Sequence, residues 1–311
     1  MKNDQSPPGG TISETVPAGR FDARYLAFLE TIARQRPNLH RYCARMTGSV
    51  WDGEDVAQEA LFEAYRKLDQ YDESRPLAPW LFRIAHNRCI DFLRRREVRQ
   101  KADAAALEPG FIAPVYPPGP AVGRAVEHLV TSLPPKERAC ILLKDVFDHS
   151  LEEVAELVDS TVGGVKAALS RGRAKLATAP KPATPTPVPN PELSGLLRLY
   201  AERFNRRDWN GLRELISAGA RLLVVDRYAG TLQESPYFGI YEKMQVALRL
   251  AAGEIDGAEV IVIEQNDGGH WAPKATVRVH VSGGKIVGLT DYWFCPWMVA
   301  AATSLQIGPI S

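Results

Sequence analysis

Apolar residues recur at helical spacing through the first half of the chain and alternate at strand spacing through the last third, with two proline-rich interruptions between. VAQEALFEAYRKL, from Val56, sets Val56, Ala60, Leu61, Ala64 and Leu68 on one stripe of a 3.6-residue helix. WLFRIAHNRCIDFLRRR predicts a second helix from Trp80 to Arg96, with Leu81, Ile84, Ala85, Cys89 and Phe92 facing inward. RPLAP, residues 75–79, is read as the break before it. Further along, Ser150 and Glu153 in SLEE form a capping box that starts LEEVAELV, and the turn DSTVGG opens VKAALSRGRAKL. Two short helices joined by a tight polar turn, the second rich in Lys and Arg, have the sequence form of a helix-turn-helix.

The interruptions mark modules. EPGFIAPVYPPGPAVG, residues 108–123, carries five prolines and three glycines, too many for a helix or a central strand. ATAPKPATPTPVPNP, residues 177–191, has proline at almost every second or third position, the composition of an extended spacer. Beyond it, helices are expected around LSGLLRLYAERFNRRD, over residues 209–216 and in IYEKMQVALRLAAG. ARLLVVDRY, AEVIVIEQ and KATVRVHV alternate as strands, and Gly283 and Gly284 sit where a hairpin turn needs positive φ. The division predicted is a disordered tail over 1–20, a helical unit over 21–105, a linker over 106–123, a helix-turn-helix unit over 124–177, a linker over 178–191 and an antiparallel α+β module over 192–311.

Charge sharpens this picture only locally. The 311 residues carry 38 Lys plus Arg against 37 Asp plus Glu, so no whole-chain signature for a polyanion exists. Between Trp80 and Lys101, however, seven cations stand against two acids, Asp91 and Glu97. That concentration fits either a helix facing phosphates or a solvated helix end favoured by the dipole. Lys166, Arg171, Arg173 and Lys175 form a second basic group, and Lys166, Ala167, Ser170 and Arg171 are expected on one exposed side between buried Val165 and Leu169. Asp52, Glu54, Asp55 and Glu59 gather at a helix start, either as dipole partners or as a docking face. The four cysteines, Cys43, Cys89, Cys140 and Cys295, form no CxxC and no Cys/His cluster, so metal, cofactor and disulfide are not expected. MKNDQSPPGG lacks the apolar run of a signal peptide, and no run of 18 apolar residues exists, so a cytoplasmic protein without membrane contact is expected.

DGEDVAQEALFEAYRKLDQYD, PWLFRIAHNRCIDFLRRR and LPPKERACILLKDVFDHSLEEVAELVDSTVGGVKAALSRGRAKL together resemble, in order and spacing, the two conserved regions of bacterial RNA polymerase sigma factors of the extracytoplasmic-function group. The resemblance covers residues 21–177. It implies that Asp52, Asp55, Gln58 and Glu59 lie on a helix docking on the polymerase β′ clamp, with the β flap as a further contact. It implies that Arg83, Asn87, Arg88, Asp91, Arg94 and Arg95 serve the −10 element, with the loop Asp72–Pro79 capturing a flipped-out base. Lys144, Lys166, Ala167, Ser170, Arg171 and Arg173 would serve the −35 element. Many relatives carry a basic residue where this chain has Ala168, which implies a reduced phosphate contact there.

The module after residue 191 resembles, in its order of elements, the SnoaL-like, nuclear-transport-factor-like cone with a curved antiparallel sheet. As an extension of a sigma factor such a module implies regulation in cis. Asp226, Asp291, His270 and His280 are candidate general bases if the cone is an enzyme. Tyr292, Trp293, Phe294 and Trp297 are candidate lining for an apolar ligand, or core. The remaining alternative is a packing surface against the chain's own helical units. The reading adopted is a promoter-directing polymerase subunit, not an enzyme. A helix-turn-helix regulator acting without polymerase, and an enzyme carried by the cone, are the alternatives.

Overall fold

A computed structural model describes residues 18–72, 74–105, 129, 132–178 and 190–309 of the chain. Most of the expected tail, the whole 106–123 linker and residues 179–189 of the second linker lie outside the described residues. The first helix, α1 (Ala18–Thr47), begins three residues inside the expected tail. It turns at Gly48, with φ of 86°, into α2 (Val50–Arg66), whose N-cap Ser49 hydroxyl accepts the Asp52 N–H at 3.2 Å. The two helices cross closely at Gly53, where an added Cβ would lie 2.5 Å from the Ala44 Cα. The third helix, α3 (Leu77–Ala105), starts earlier than Trp80. Pro79 falls in its first turn, where no intrahelical N–H is needed, so the expected break is shorter than RPLAP.

The second helical unit contains α4 (Pro135–Ile141), a π-helical turn over Leu142–Val146, α5 (Leu151–Leu157) and α6 (Val162–Thr178). The capping box forms: Glu153 N–H donates to Ser150 Oγ at 3.1 Å and Ser150 N–H to Glu153 Oε2 at 2.7 Å. Gly163 and Gly164 belong to the first turn of α6 rather than to the loop, because Thr161 Oγ1 accepts the Gly164 N–H at 3.0 Å. Ala168 is fully buried, so that position faces the core and not a phosphate, correcting the expectation for it. The apolar faces of both helical units merge into one core, joined by Tyr42, Phe82 and Phe147 with ring centroids 5.7–6.0 Å apart.

The remaining elements are α7 (Pro191–Asn205), α8 (Trp209–Glu214), β1 (Ile216–Val224), β2 (Tyr228–Thr231), α9 (Tyr237–Lys243), β3 (Leu248–Ile255), β4 (Ala258–Asp267), β5 (His270–Ser282), β6 (Lys285–Asp291), α10 (Trp297–Ala301) and β7 (Leu305–Ile307). The strands make one seven-stranded sheet in the order β2-β1-β6-β5-β4-β3-β7, open at both edges. It is mixed, because β1 pairs with β6 in parallel; the all-antiparallel expectation fails at that pair. IYEKMQVALRLAAG is also not one helix: α9 ends at Lys243, and Leu248–Ile255 pairs with β4 on one side and β7 on the other. The β5–β6 hairpin turns at Gly283 and Gly284, with φ of 57° and 72°.

Along β4, Ile261 and Ile263 face α7 and α9, while Val260 and Val262 join the opposite apolar cluster. Period-two alternation sends these pairs to opposite faces, and both faces are buried. The second face is covered by Cys295, Met298 and Tyr292 together with Ala44, Val50 and Trp51 of the first helical unit. The sheet module therefore shares a core with α1 and α2. Among the described residues no helix is long and apolar enough to cross a membrane.

Candidate nucleic-acid interface

Helix α3 buries Leu81, Ile84, Ala85 and Cys89 and leaves Arg83, Asn87 and Arg94 exposed along its opposite side. Asp91 lies between them on that side, half-buried, with Arg94 Nη1 at 4.0 Å. Arg88 and Arg95 turn toward α2 instead. Arg88 Nε donates to Glu63, and Arg95 Nη2 to Glu59 at 3.5 Å. The Glu63 pair holds the Arg88 guanidinium above its ordinary pKa. Six residues predicted to act together thus divide into an outward row and a pair bracing α3 on α2.

At the start of α3 lies a cleft of about 440 Å³ lined by Tyr71, Arg75, Trp80 and Arg83, with Glu153 and Glu156 of the second unit on its far wall. Tyr71 and Trp80 rings stand 5.0 Å apart, and the Tyr71 hydroxyl donates to the Arg75 carbonyl, fixing the loop. Asp72 accepts the Ser74 N–H at 3.0 Å, which holds its carboxyl below the usual range. An aromatic face beside two guanidiniums suits an unstacked base and its phosphate. Only the loop was expected here; Trp80 as a wall residue was legible because it precedes the apolar stripe at Leu81 rather than joining it.

On α6, Lys166, Ala167, Ser170 and Arg171 are exposed, and Val165 and Leu169 are buried, as spacing predicts. Lys144, Lys166, Ser170 and Arg173 line one open cleft of about 490 Å³. Lys144 donates to the His149 carbonyl at 3.0 Å, so the π-helical turn aims it at α6. Arg173 pairs with Asp145 through two contacts of 2.6 and 3.1 Å, whereas Arg171 leans away toward Glu137 at 3.0 Å.

Helix α2 carries two surfaces. Asp55, Glu59 and Phe62, one turn apart, face outward, and Phe62 remains 64% exposed. Phe62 falls outside the stripe Val56–Leu68, which is the signal that separates it from the core. Asp52 and Gln58 are half-covered, and Gln58 Nε2 donates to Glu54 Oε1 at 3.2 Å. Desolvation first, then the carboxylates of Asp52 and Glu54, push Asp55 up to about 6.

Glu54 is fully buried where α2 meets the sheet module. It accepts from Arg36, from Trp297 Nε1 at 2.8 Å and from Cys295 Sγ at 3.8 Å. Arg36 also lies over the Trp297 ring, 5.0 Å from its centroid, and 3.8 Å from Asp226. Beside this anchor, Arg278 lies over Trp51 at 5.0 Å and Trp51 stacks with Tyr292 at 4.9 Å. Glu54, Asp226 and Cys295 are close enough together to hold a cation, but the Arg36 guanidinium already neutralises them.

The candidate residues of the sheet module do not converge. Asp291 is buried, accepts the Tyr237 and Tyr241 hydroxyls at 2.7 and 2.8 Å and the Trp293 N–H at 2.8 Å, and is pushed up by desolvation against those bonds. Asp226 faces Arg36, His270 is exposed at the β4–β5 turn, and His280 is exposed beside Thr290. Of the aromatic group, Tyr292 meets Trp51, Trp293 meets Tyr241, Phe294 lies under Arg227 and Trp297 meets Glu54. They point in four directions and line no common cavity among the described residues.

Residues 27–99 match the model of sigma-70 region 2, and residues 123–176 that of sigma-70 region 4. The chain is 32% identical to the ECF RNA polymerase sigma factor SigW of Bacillus subtilis, over 48% of its own length and 87% of that protein. It is 30% identical to SigF of Caulobacter vibrioides, over 60% and 91%, and 30% identical to SigG of Mycobacterium tuberculosis, over 69% and 63%. Among solved structures, the Mycobacterium tuberculosis extracytoplasmic function sigma factor SigJ aligns over 85% of this chain and 95% of its own, with 19% identity and a TM-score of 0.35.

Proposed function

The chain belongs to the extracytoplasmic-function group of RNA polymerase sigma factors, and we propose that it binds core polymerase and directs it to promoters by reading a −10 element with α3 and a −35 element with α6. The observation that carries this reading is the pair of exposed polar faces, Arg83–Asn87–Arg94 and Lys166–Ser170–Arg173, one on each segment matched to a sigma region. Base edges need exposed hydrogen-bonding side chains, and phosphates need cations. Both faces offer the two together. The outward row Asp55, Glu59 and Phe62 on α2 is the docking face for the β′ clamp, because a single large apolar side chain ringed by charge has the composition of a docking hot spot. The β flap engages the second helical unit.

The residues after 191 are a SnoaL-like module that regulates the helical units in cis. Its contact with Trp51 and Glu54, on the helix proposed to meet polymerase, supports that role. Its function in this reading is a packing one, with Asp291 held by two tyrosines as part of its core.

Open-complex formation on promoter DNA with core polymerase and the full chain separates the two faces. Asn87→Ala is expected to reduce strand opening while sparing upstream binding, and Lys166→Ala to weaken upstream binding first. Equal loss at both elements in both variants would argue against separate readers.

A further inference from the structure

We propose that the described arrangement is a self-closed form, in which α5 lids the −10 cleft and Phe147 latches the helix-turn-helix unit onto region 2, while the sheet module stays seated on region 2 when the latch opens. The proposal rests on the −10 and −35 assignments above.

Geometry requires two states. The two promoter elements are centred about 25 base pairs apart, roughly 85 Å along a duplex at ~3.4 Å per step. Here Arg75, at the mouth of the −10 cleft, is 2.8 Å from Glu156 on α5. The recognition helix α6 packs directly on α4 and α5, and its 17 residues span only about 25 Å. No part of it can lie 85 Å from the cleft, so the closed form cannot span a promoter. The chain between Ala105 and Pro135 would reach roughly 100 Å at ~3.3 Å per residue, enough for the open form.

The closing contacts differ in kind. Arg75 and Glu156 are both more than half exposed, so their pair contributes little to closure and serves instead to occupy the cation and put carboxylates where phosphates belong. The latch is apolar and buried. Phe147, at the end of the π-helical turn, packs edge-on against Tyr42 and Phe82 with Arg41 4.9 Å above its ring. Arg138, from α4, is buried and donates to the Met46 carbonyl in the last turn of α1, where the helix dipole favours a cation.

The sheet module takes no part in this closure. Its apolar contact is with Ala44, Val50 and Trp51, and its ion pairs reach Arg36 and Glu54, all of them in region 2. Region 2 and the sheet module therefore move as one body, and the moving joint lies between region 2 and the helix-turn-helix unit.

The test uses the full chain carrying spin labels on cysteines introduced at exposed positions, the native four being buried. One pair, Val98→Cys with Asp159→Cys, reports region 2 against the helix-turn-helix unit; Val98→Cys with Val246→Cys reports region 2 against the sheet module. The first pair is expected to show one short distance in the free chain and to lengthen by tens of Å on core polymerase, while the second stays fixed. Phe147→Ala and, separately, Glu156→Lys are expected to populate the long distance without polymerase, the first lowering the closed-to-open ratio at least tenfold. Glu156→Lys is also expected to tighten binding of a mixed-sequence single-stranded 12-mer at least fivefold. A first-pair distance that stays short on polymerase, or variants that leave both the free-chain distances and 12-mer binding unchanged, would overturn the latch. A chain that ignores core polymerase yet opens in the two variants would sink the sigma assignment and leave the latch standing.

Discussion

Replacing Trp297 by Phe removes one hydrogen bond from the joint between the sheet module and region 2 while keeping most of the ring. The indole Nε1–H donates at 2.8 Å to Glu54 Oε2, and Glu54 is wholly buried. A hydrogen bond to a charged partner contributes about 1.5–3 kcal/mol, and its loss leaves a buried carboxylate oxygen whose nearest other group is His40 Nε2 at 3.9 Å. Phe still lies beneath Arg36, so most of that cation–π contact survives. A loss of ~2 kcal/mol raises the undocked population about thirtyfold. Hydrogen exchange reads this locally: amides of Trp297–Ala301 should exchange about thirtyfold faster, with Val260–Ile263 in the sheet centre unchanged. Glu54→Gln should cost more, because it leaves Arg36 without its buried partner. Combined with Trp297→Phe, it should show less than the sum of the two effects. Unchanged exchange at α10 in Trp297→Phe, or strict additivity in the double variant, would refute the anchor role of Glu54.

Other consequences follow from single contacts. Ser150→Ala removes the N-cap of α5 and should cost about 0.5–2 kcal/mol in thermal or urea unfolding, a loss Ser150→Asp should largely avoid. Gly53→Ala forces a methyl against the Ala44 backbone and should destabilise by about 1–3 kcal/mol, measured the same way. His86 lies buried with Nδ1 2.8 Å from the Tyr42 hydroxyl, and burial pulls it down to about 4 from 6.5. Its folded pKa is depressed, so the neutral ring's contribution is present above pH 6.5 and is lost as pH falls toward 4, by ~3 kcal/mol in total. A His86→Gln chain should show a flatter stability profile across that window. Lys166→Ala should reduce the slope of log affinity against log salt for upstream duplex binding by about one phosphate's worth, near 0.9; an unchanged slope would mean that Lys166 meets no phosphate.

Features set by neighbours in sequence were legible. The capping box over Ser150–Glu153, the α2 stripe from Val56 to Leu68 and the Gly283–Gly284 turn each depend on contacts within a few residues. So did the exposed side of α6, because buried Val165 and Leu169 fix where Lys166 and Ser170 point. Features set by distant partners were not. LRLAAG has apolar residues compatible with a helix, and only pairing with β4 and β7 makes it a strand. The parallel β1–β6 pair joins segments more than sixty residues apart, beyond the reach of local pattern. Arg171 looked like a groove residue by spacing, yet Glu137 on α4 draws it aside. Glu54 illustrates the limit best. Within DGEDVAQE it is one acid among four, and its burial depends on Trp297 and Cys295, some 240 positions away.

The measurement that bears most directly on the whole account is promoter-dependent run-off transcription by bacterial core polymerase from a broad promoter library, with and without the full chain. The account predicts defined transcripts only when the chain is added, reduced by Asn87→Ala and by Lys166→Ala. If no promoter yields a chain-dependent transcript while the purified chain binds a duplex operator specifically by itself, the promoter-directing role is wrong and the helix-turn-helix acts without polymerase.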